Sequence, residues 1–400
     1  MIISGPHIYT ENGVIKNADV IIRDNKIHAI DTEKKSSSDD RLIFPEHYHL
    51  VPGFIDVHIH GANGCDVMDG TEIALDKISQ ALAAEGTTAF LATTMTASTD
   101  QIADVVKNAG NYIQKQKMNG ARLLGVHLEG PFLSPQKVGA QSAKHLLSPQ
   151  INLIRDWQKQ SGNAIKLVTV APELPNSLEF IHFLKTEKII ASMGHTNATY
   201  QETLAAIDAG CSHVTHLFNA MRGIHQREPG IAIAALLSET VSTELILDEA
   251  HLHPAIVDLV FKIKHKEKII LVTDAMRAKC LPDGLYDLGG QSVSVKQNKA
   301  SLADGTLAGS VLKMSTAIHN MMRFTHCTLL DAVRFASANP AKLLGLFDTK
   351  GSIALQKDAD LVVLDEALNI VLTMVEGKIV YRKDSAVFTA SIEASSRDAF

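Results

Sequence analysis

Cysteine is scarce: Cys65, Cys211, Cys280 and Cys327 are the only four in 400 residues, widely separated and without a Cys-x-x-Cys pair. That usage excludes a disulfide framework and fits a reducing compartment, so a cytoplasmic location is expected. No uncharged apolar run reaches the roughly 18 residues of a membrane span. The opening Met1-Ile2-Ile3-Ser4-Gly5-Pro6-His7 has neither the basic nor the apolar region of a secretion signal, so no membrane partner is expected. Positive charge is not in excess either. With 38 basic and 44 acidic residues the formal charge is −6, which removes nucleic acid as an expected partner but leaves room for a local basic pocket around one phosphate. What is present is ordinary globular composition, 46% hydrophobic and 20% charged, in a chain long enough for one large domain and a smaller one.

The two chain ends share a texture. Short strand-like runs such as Val20-Ile21-Ile22 and Lys26 to Ile30 are punctuated by turns at Glu11-Asn12-Gly13 and Arg23-Asp24-Asn25, and similar runs return at Ala359 to Asp365 and Val371 to Val380. Neither end is long enough for a good core alone, so together they are expected to form one small β-sandwich. Between them, apolar runs alternate with helix-like stretches. The runs are Phe54–His58, Thr87–Leu91, Leu123–Leu128, Lys166–Val170, Ile189–Met193, His213–Thr215, Glu244–Leu247 and Lys268–Thr273. Eight such repeats match the rhythm of a (β/α)8 TIM-like barrel, although a doubly wound sheet gives the same alternation. The expected boundaries are 1–52 and 349–384 for the sandwich, 53–348 for the barrel and 385–400 for a patternless tail. A β-rich insertion is expected between about Leu281 and Leu302, with turns at Gly289-Gly290 and Asp304-Gly305, and a helix from Asp331 to Ala341 ending near Asn339-Pro340.

A barrel brings the C-terminal ends of its strands to one place, and those ends carry the chemistry. His58 and His60 project to the same side of an extended chain. Glu129 follows the third run, His195 the fifth and Asp274 the eighth, while His216 falls at the sixth. Taken singly, each has a bland reading: His58-x-His60 as two surface histidines, Asp274 as a helix cap, His213 as a strand histidine. Four histidines and two carboxylates at equivalent strand ends point instead to a divalent metal in an active-site mouth.

The motifs Pro52-Gly53-Phe54-Ile55-Asp56-Val57-His58-Ile59-His60-Gly61, Leu128-Glu129-Gly130-Pro131-Phe132, Gly194-His195-Thr196, Thr215 to Met221, Arg227-Glu228-Pro229-Gly230, Thr273-Asp274-Ala275-Met276 and Leu307-Ala308-Gly309-Ser310 resemble those of the N-acetylglucosamine-6-phosphate deacetylases of the amidohydrolase superfamily. The resemblance covers essentially the whole chain. It implies a barrel joined to a sandwich built from both chain ends, and hydrolysis of the acetamido group of a phosphorylated amino sugar. It further implies Glu129, His195 and His216 as ligands of a principal metal, with His58 and His60 favouring a second ion and Glu129 as its bridge. One or two divalent ions are therefore expected, Zn first, with Fe, Mn or Co as alternatives. Asp274 is implied as the proton-transfer group and a further ligand. Gln141, Asn219, Ala220, Arg227, His251 and Leu307 are implied as substrate contacts, with Arg227 reaching across a homodimer interface. Two positions depart from the pattern: Gln141 stands where some members carry histidine, and Glu249 where glycine is common.

Two other readings compete. A different amidohydrolase activity, dihydroorotase-like or on N-acetyl amino acids, would be favoured by loss of the Asn219 and Arg227 constellation. A non-catalytic metal-stabilised binding protein would have no use for Asp274 as a proton carrier.

Overall fold

The computed structural model describes residues 1–34 and 40–383, so the stretch 385–400 expected as a tail lies outside the described residues. Eight strands, β1 (Phe54–Ile59), β2 (Thr87–Thr94), β3 (Arg122–Glu129), β4 (Ile165–Val170), β5 (Ile190–Met193), β6 (His213–Val214), β7 (Ser242–Ile246) and β8 (Ile269–Val272), form one sheet in chain order. Every neighbouring pair is parallel. The strands are almost wholly buried, as a parallel sheet covered by helices requires, and this is why they read as continuous apolar runs. The sheet curls until β1 meets the chain just beyond β8. There Asp274 N donates to His58 O (2.8 Å), His60 N donates to Ala275 O (2.9 Å), and Ile59 faces Ala275 in a parallel bridge. The barrel alternative is thus the one realised, and its closing seam holds His58, His60 and Asp274 side by side.

The chain ends build two further sheets. One contains Ile2–Ser4, Asp19–Arg23, Lys26–Asp31 and Arg41–Ile43. The other joins His7–Thr10, Gly13–Ile15 and His49–Pro52 to the C-terminal strands Leu361–Leu364, Ile370–Val375 and Lys378–Arg382, with Leu361–Leu364 antiparallel to His49–Pro52. A separate core including Ile3, Val20, Ile27, Leu50, Leu361 and Leu372 draws residues from both sheets, as expected for a sandwich.

The β-rich insertion is a three-stranded antiparallel sheet, Gly284–Leu288, Gln291–Lys296 and Lys299–Ser301, whose small core includes Met95, Met276, Leu288 and Val293. One expectation needs correction. The helix anticipated across Asp331 to Ala341 is two helices, Leu329–Ala336 and Ala338–Leu343, broken at Ser337 (φ −132°, ψ −70°). Pro340 does not end a helix; it sits in the first turn of the second, where its missing N–H costs no helical hydrogen bond.

Lys279, fully buried, donates to Glu85, itself 3% exposed, at 2.5 Å. Removing one partner leaves the other charge buried and unpaired. Lys279→Met is expected to lower stability by about 3–5 kcal/mol, seen as a fall in the denaturation midpoint, and the double variant Lys279→Met/Glu85→Leu to recover most of the loss.

Candidate metal centre and active site

Strand geometry places the six residues. His58 lies in β1 with His60 one residue past its end, and Glu129 ends β3, whereas His195, His216 and Asp274 each lie two residues past the end of their strand. Those three take φ of +46°, +31° and +46°, a region that non-glycine residues seldom occupy. Such backbone costs on the order of 1–3 kcal/mol per residue and persists where surrounding structure enforces it, most often at functional sites.

The side chains converge on Glu129. Its Oε1 lies 3.2 Å from His195 Nε2 and 2.9 Å from His216 Nε2; its Oε2 lies 3.5 Å from His58 Nε2 and 3.2 Å from His60 Nε2. Asp274 Oδ1 completes the second group at 3.4 Å from His58 Nε2 and 3.2 Å from His60 Nε2. In both groups, Glu129/His195/His216 and His58/His60/Asp274, the candidate ligand atoms all lie within 4.8 Å of one another. Each oxygen of Glu129 therefore faces a different group.

These contacts make poor hydrogen-bond networks and good cation sites. His195 Nε2 and His216 Nε2 point at each other across 3.1 Å, and buried His58 Nε2 makes no hydrogen bond. Burial opposes charge on His58, yet Glu129, Glu244 and Asp274 outweigh it and raise its pKa well above the ordinary value. His60 behaves alike: burial lowers its pKa, and bonds to Asp274 and Glu129 reverse this to about 9. Burial would raise the two carboxylates, but His58 and the other imidazoles hold Glu129 well below its usual range and Asp274 at about 2. A buried pocket that holds carboxylates ionised and aims imidazole nitrogens at one another fits a divalent cation.

The outer contacts select the right nitrogen. His60 Nδ1 donates to Thr93 O (3.2 Å), His195 Nδ1 to Lys137 O (2.9 Å) and His58 Nδ1 to Glu244 Oε2 (2.8 Å), which leaves each Nε2 free to ligate. Glu244 was legible in the sequence only as a member of β7; a lone acid at a buried apolar run was the signal. Its Oε2 also accepts from His216 N at 2.9 Å, so one carboxylate ties a ligand of each group. His127, likewise missed, lies beneath the site with Nε2 2.7 Å from Thr169 Oγ1, and burial together with His58 keeps it neutral, with a pKa of about 3. His213 is the strand histidine expected, bonded to Ser192 Oγ at 2.9 Å.

Above the two groups lies a cavity of about 310 Å³. It is lined by His60, Glu129, His195, His216 and Asp274, and by Gln141, Asn219, Ala220, His251 and Leu307 of the expected substrate contacts. His58 sits beneath it. Arg227 does not line it: the residue is exposed on the 222–229 loop and makes no ion pair among the described residues. Its neighbour Glu228 instead accepts from Tyr200 N (2.7 Å) and Gly230 N (3.2 Å). Asp248 accepts from His251 Nδ1 at 2.7 Å; burial lowers the His251 pKa, and Asp248 more than reverses it. Glu249 adopts φ +67°, a conformation glycine takes without strain, and accepts from Arg323. Glu244→Leu is expected to weaken divalent-ion binding about 10–100-fold in a metal titration, with Glu244→Gln, which keeps an acceptor for His58 and His216, losing much less.

Comparison with known proteins agrees with this geometry. The amidohydrolase family model matches residues 49–380. The N-acetylglucosamine-6-phosphate deacetylase of Bacillus subtilis (strain 168) is 46% identical over 94% of this chain and 95% of its own length. The N-acetylgalactosamine-6-phosphate deacetylase of Escherichia coli O157:H7 is 36% identical over 93% and 97%. Among solved structures, a mutant N-acetyl-D-glucosamine-6-phosphate deacetylase of Mycobacterium smegmatis, in complex with N-acetyl-D-glucosamine-6-phosphate, superposes with a TM-score of 0.90 at 32% identity, covering 95% of this chain and 99% of that one. The chain belongs to the amidohydrolase family, and within it to the N-acetylglucosamine-6-phosphate deacetylases.

Proposed function

We propose that this protein hydrolyses N-acetyl-D-glucosamine 6-phosphate to glucosamine 6-phosphate and acetate. The observation that carries the reading is Asp274, a carboxylate on the cavity wall that shares a ligand group with His58 and His60. A structural metal site needs no such open acid, which speaks against the binding-protein reading. Glu129, His195 and His216 would hold the principal ion. His58, His60 and Asp274 would hold a second, bridged by Glu129, with Zn the expected metal and Fe, Mn or Co as alternatives. When bound, the ions supply polarisation of the amide carbonyl and a water of lowered pKa.

Asp274 supplies the proton traffic. Ionised at neutral pH, it accepts the proton that the attacking water loses as the water oxygen bonds to the acetyl carbon. The C–N bond then breaks, and Asp274 returns that proton to the departing amine nitrogen. Asn219, the backbone at Ala220, Leu307 and His251 orient the sugar, and the Asp248 contact favours the charged form of His251 for an anionic ligand. Arg227, exposed within one subunit, would meet the phosphate in the cavity of a partner in a homodimer. The barrel of residues 53–348 is taken as the catalytic unit and the sandwich of 1–52 and 349–384 as its support. A cytoplasmic location is supported by four free cysteines, and no described helix is long and apolar enough to cross a membrane.

Acetate release from the phosphorylated and unphosphorylated sugars tests the reading. Turnover confined to metal-loaded protein and 6-phosphate is expected; no turnover would refute it, and equal turnover of both sugars would refute the phosphate part. N-acetylgalactosamine 6-phosphate, run alongside, decides which epimer is preferred. Asp274→Asn is expected to lower kcat at least ~10²-fold. Arg227→Ala is expected to raise KM for the phosphorylated sugar roughly 10–100-fold, the scale of one lost charge-assisted hydrogen bond.

A further inference from the structure

Gln141 lines the cavity, yet both of its polar ends are already engaged. Its Oε1 accepts from Thr96 N at 2.7 Å, and its Nε2 donates to Glu129 Oε2 at 2.8 Å with Met95 Sδ 3.6 Å away. Because a backbone N–H can only donate, Thr96 sets the amide: carbonyl toward Thr96, NH2 toward Glu129. The residue is 5% exposed. Its loop is braced from outside by the insertion sheet, through Gln291 Nε2 donating to Ala140 O at 2.6 Å.

The bond reaches only one of the two Glu129 oxygens, the one that faces His58 and His60. The terminal torsion of a glutamate is broad and roughly two-fold. A donor on a single oxygen removes that equivalence and fixes which oxygen faces which histidines. We propose that Gln141 is a positioning residue that holds Glu129 Oε2 toward His58 and His60, and that occupancy of the His58/His60/Asp274 site depends on it while the Glu129/His195/His216 site does not. The proposal rests on the two-site reading above. It gives Gln141 a role toward the metal centre that a sugar contact would not require.

Co(II) added stepwise to the metal-free protein provides the test, followed by its d–d absorption and by equilibrium dialysis. His60→Ala, which lacks a ligand of the dependent site, supplies the reference spectrum for one equivalent. Native protein is expected to bind two equivalents. Gln141→Met, which loses the donor, and Gln141→Asn, which is too short to span Thr96 and Glu129, are expected to keep the first and bind the second about 10–100-fold more weakly, with an unchanged circular dichroism spectrum. Two equivalents bound as tightly as in the native protein, or both weakened alike, would overturn the proposal. Native protein that takes only one equivalent sinks the two-site reading itself, before any variant is compared.

Discussion

The structure turns on one buried carboxylate. Glu129 is 2% exposed, and four imidazoles lie within 3.5 Å of its oxygens, two on each side. An ionised carboxylate in that position is tenable only among positive partners. Much of the surrounding architecture places or braces those partners. β1 brings His58 and His60, the left-handed turns after β5 and β6 bring His195 and His216, and the seam closing β8 onto β1 brings Asp274. Glu244 and Gln141 then hold the arrangement from outside it, one through the histidines and the other through Glu129.

Asp274 N and His60 N complete the barrel by bonding across to His58 O and Ala275 O, so the backbone bonds that close the sheet also set the spacing of three candidate ligands. Ser310 N reaches Asp274 O at 2.7 Å, which ties the Leu307 loop to the same point. Barrel closure, the second group and one wall of the cavity are thus a single construction. Any change that loosens β1 against β8 would be felt in all three.

Much of this was legible in the sequence, for physical reasons. Parallel strands buried on both faces leave uninterrupted apolar runs, so all eight were visible, down to β6, which is only two residues long. Strand ends in a barrel converge, so the six metal-centre residues could be placed together without knowing a distance. What stayed hidden were relationships that pattern does not encode. Glu244 looked like one acid in a strand because its bonds are to His58 and His216, far away in the chain. Gln141 was named as a sugar contact by the family resemblance, and nothing in its sequence neighbourhood shows that Thr96 N also turns its amide toward Glu129. The break at Ser337 was masked because Ala336 and Ala338 on either side of it favour helix, and only the family resemblance, not any local pattern, suggested that Arg227 stands outside this chain's cavity.

The central claim is that Glu129 is shared between two ions, and anomalous X-ray diffraction from crystals of the metal-loaded protein, collected at the metal's absorption edge, tests it most directly. The account predicts two peaks, one among Glu129 Oε1, His195 and His216 and the other among Glu129 Oε2, His58, His60 and Asp274. A single peak that leaves either oxygen of Glu129 without a metal, or a peak displaced into the deeper group of His58, His127 and Glu244, would contradict it.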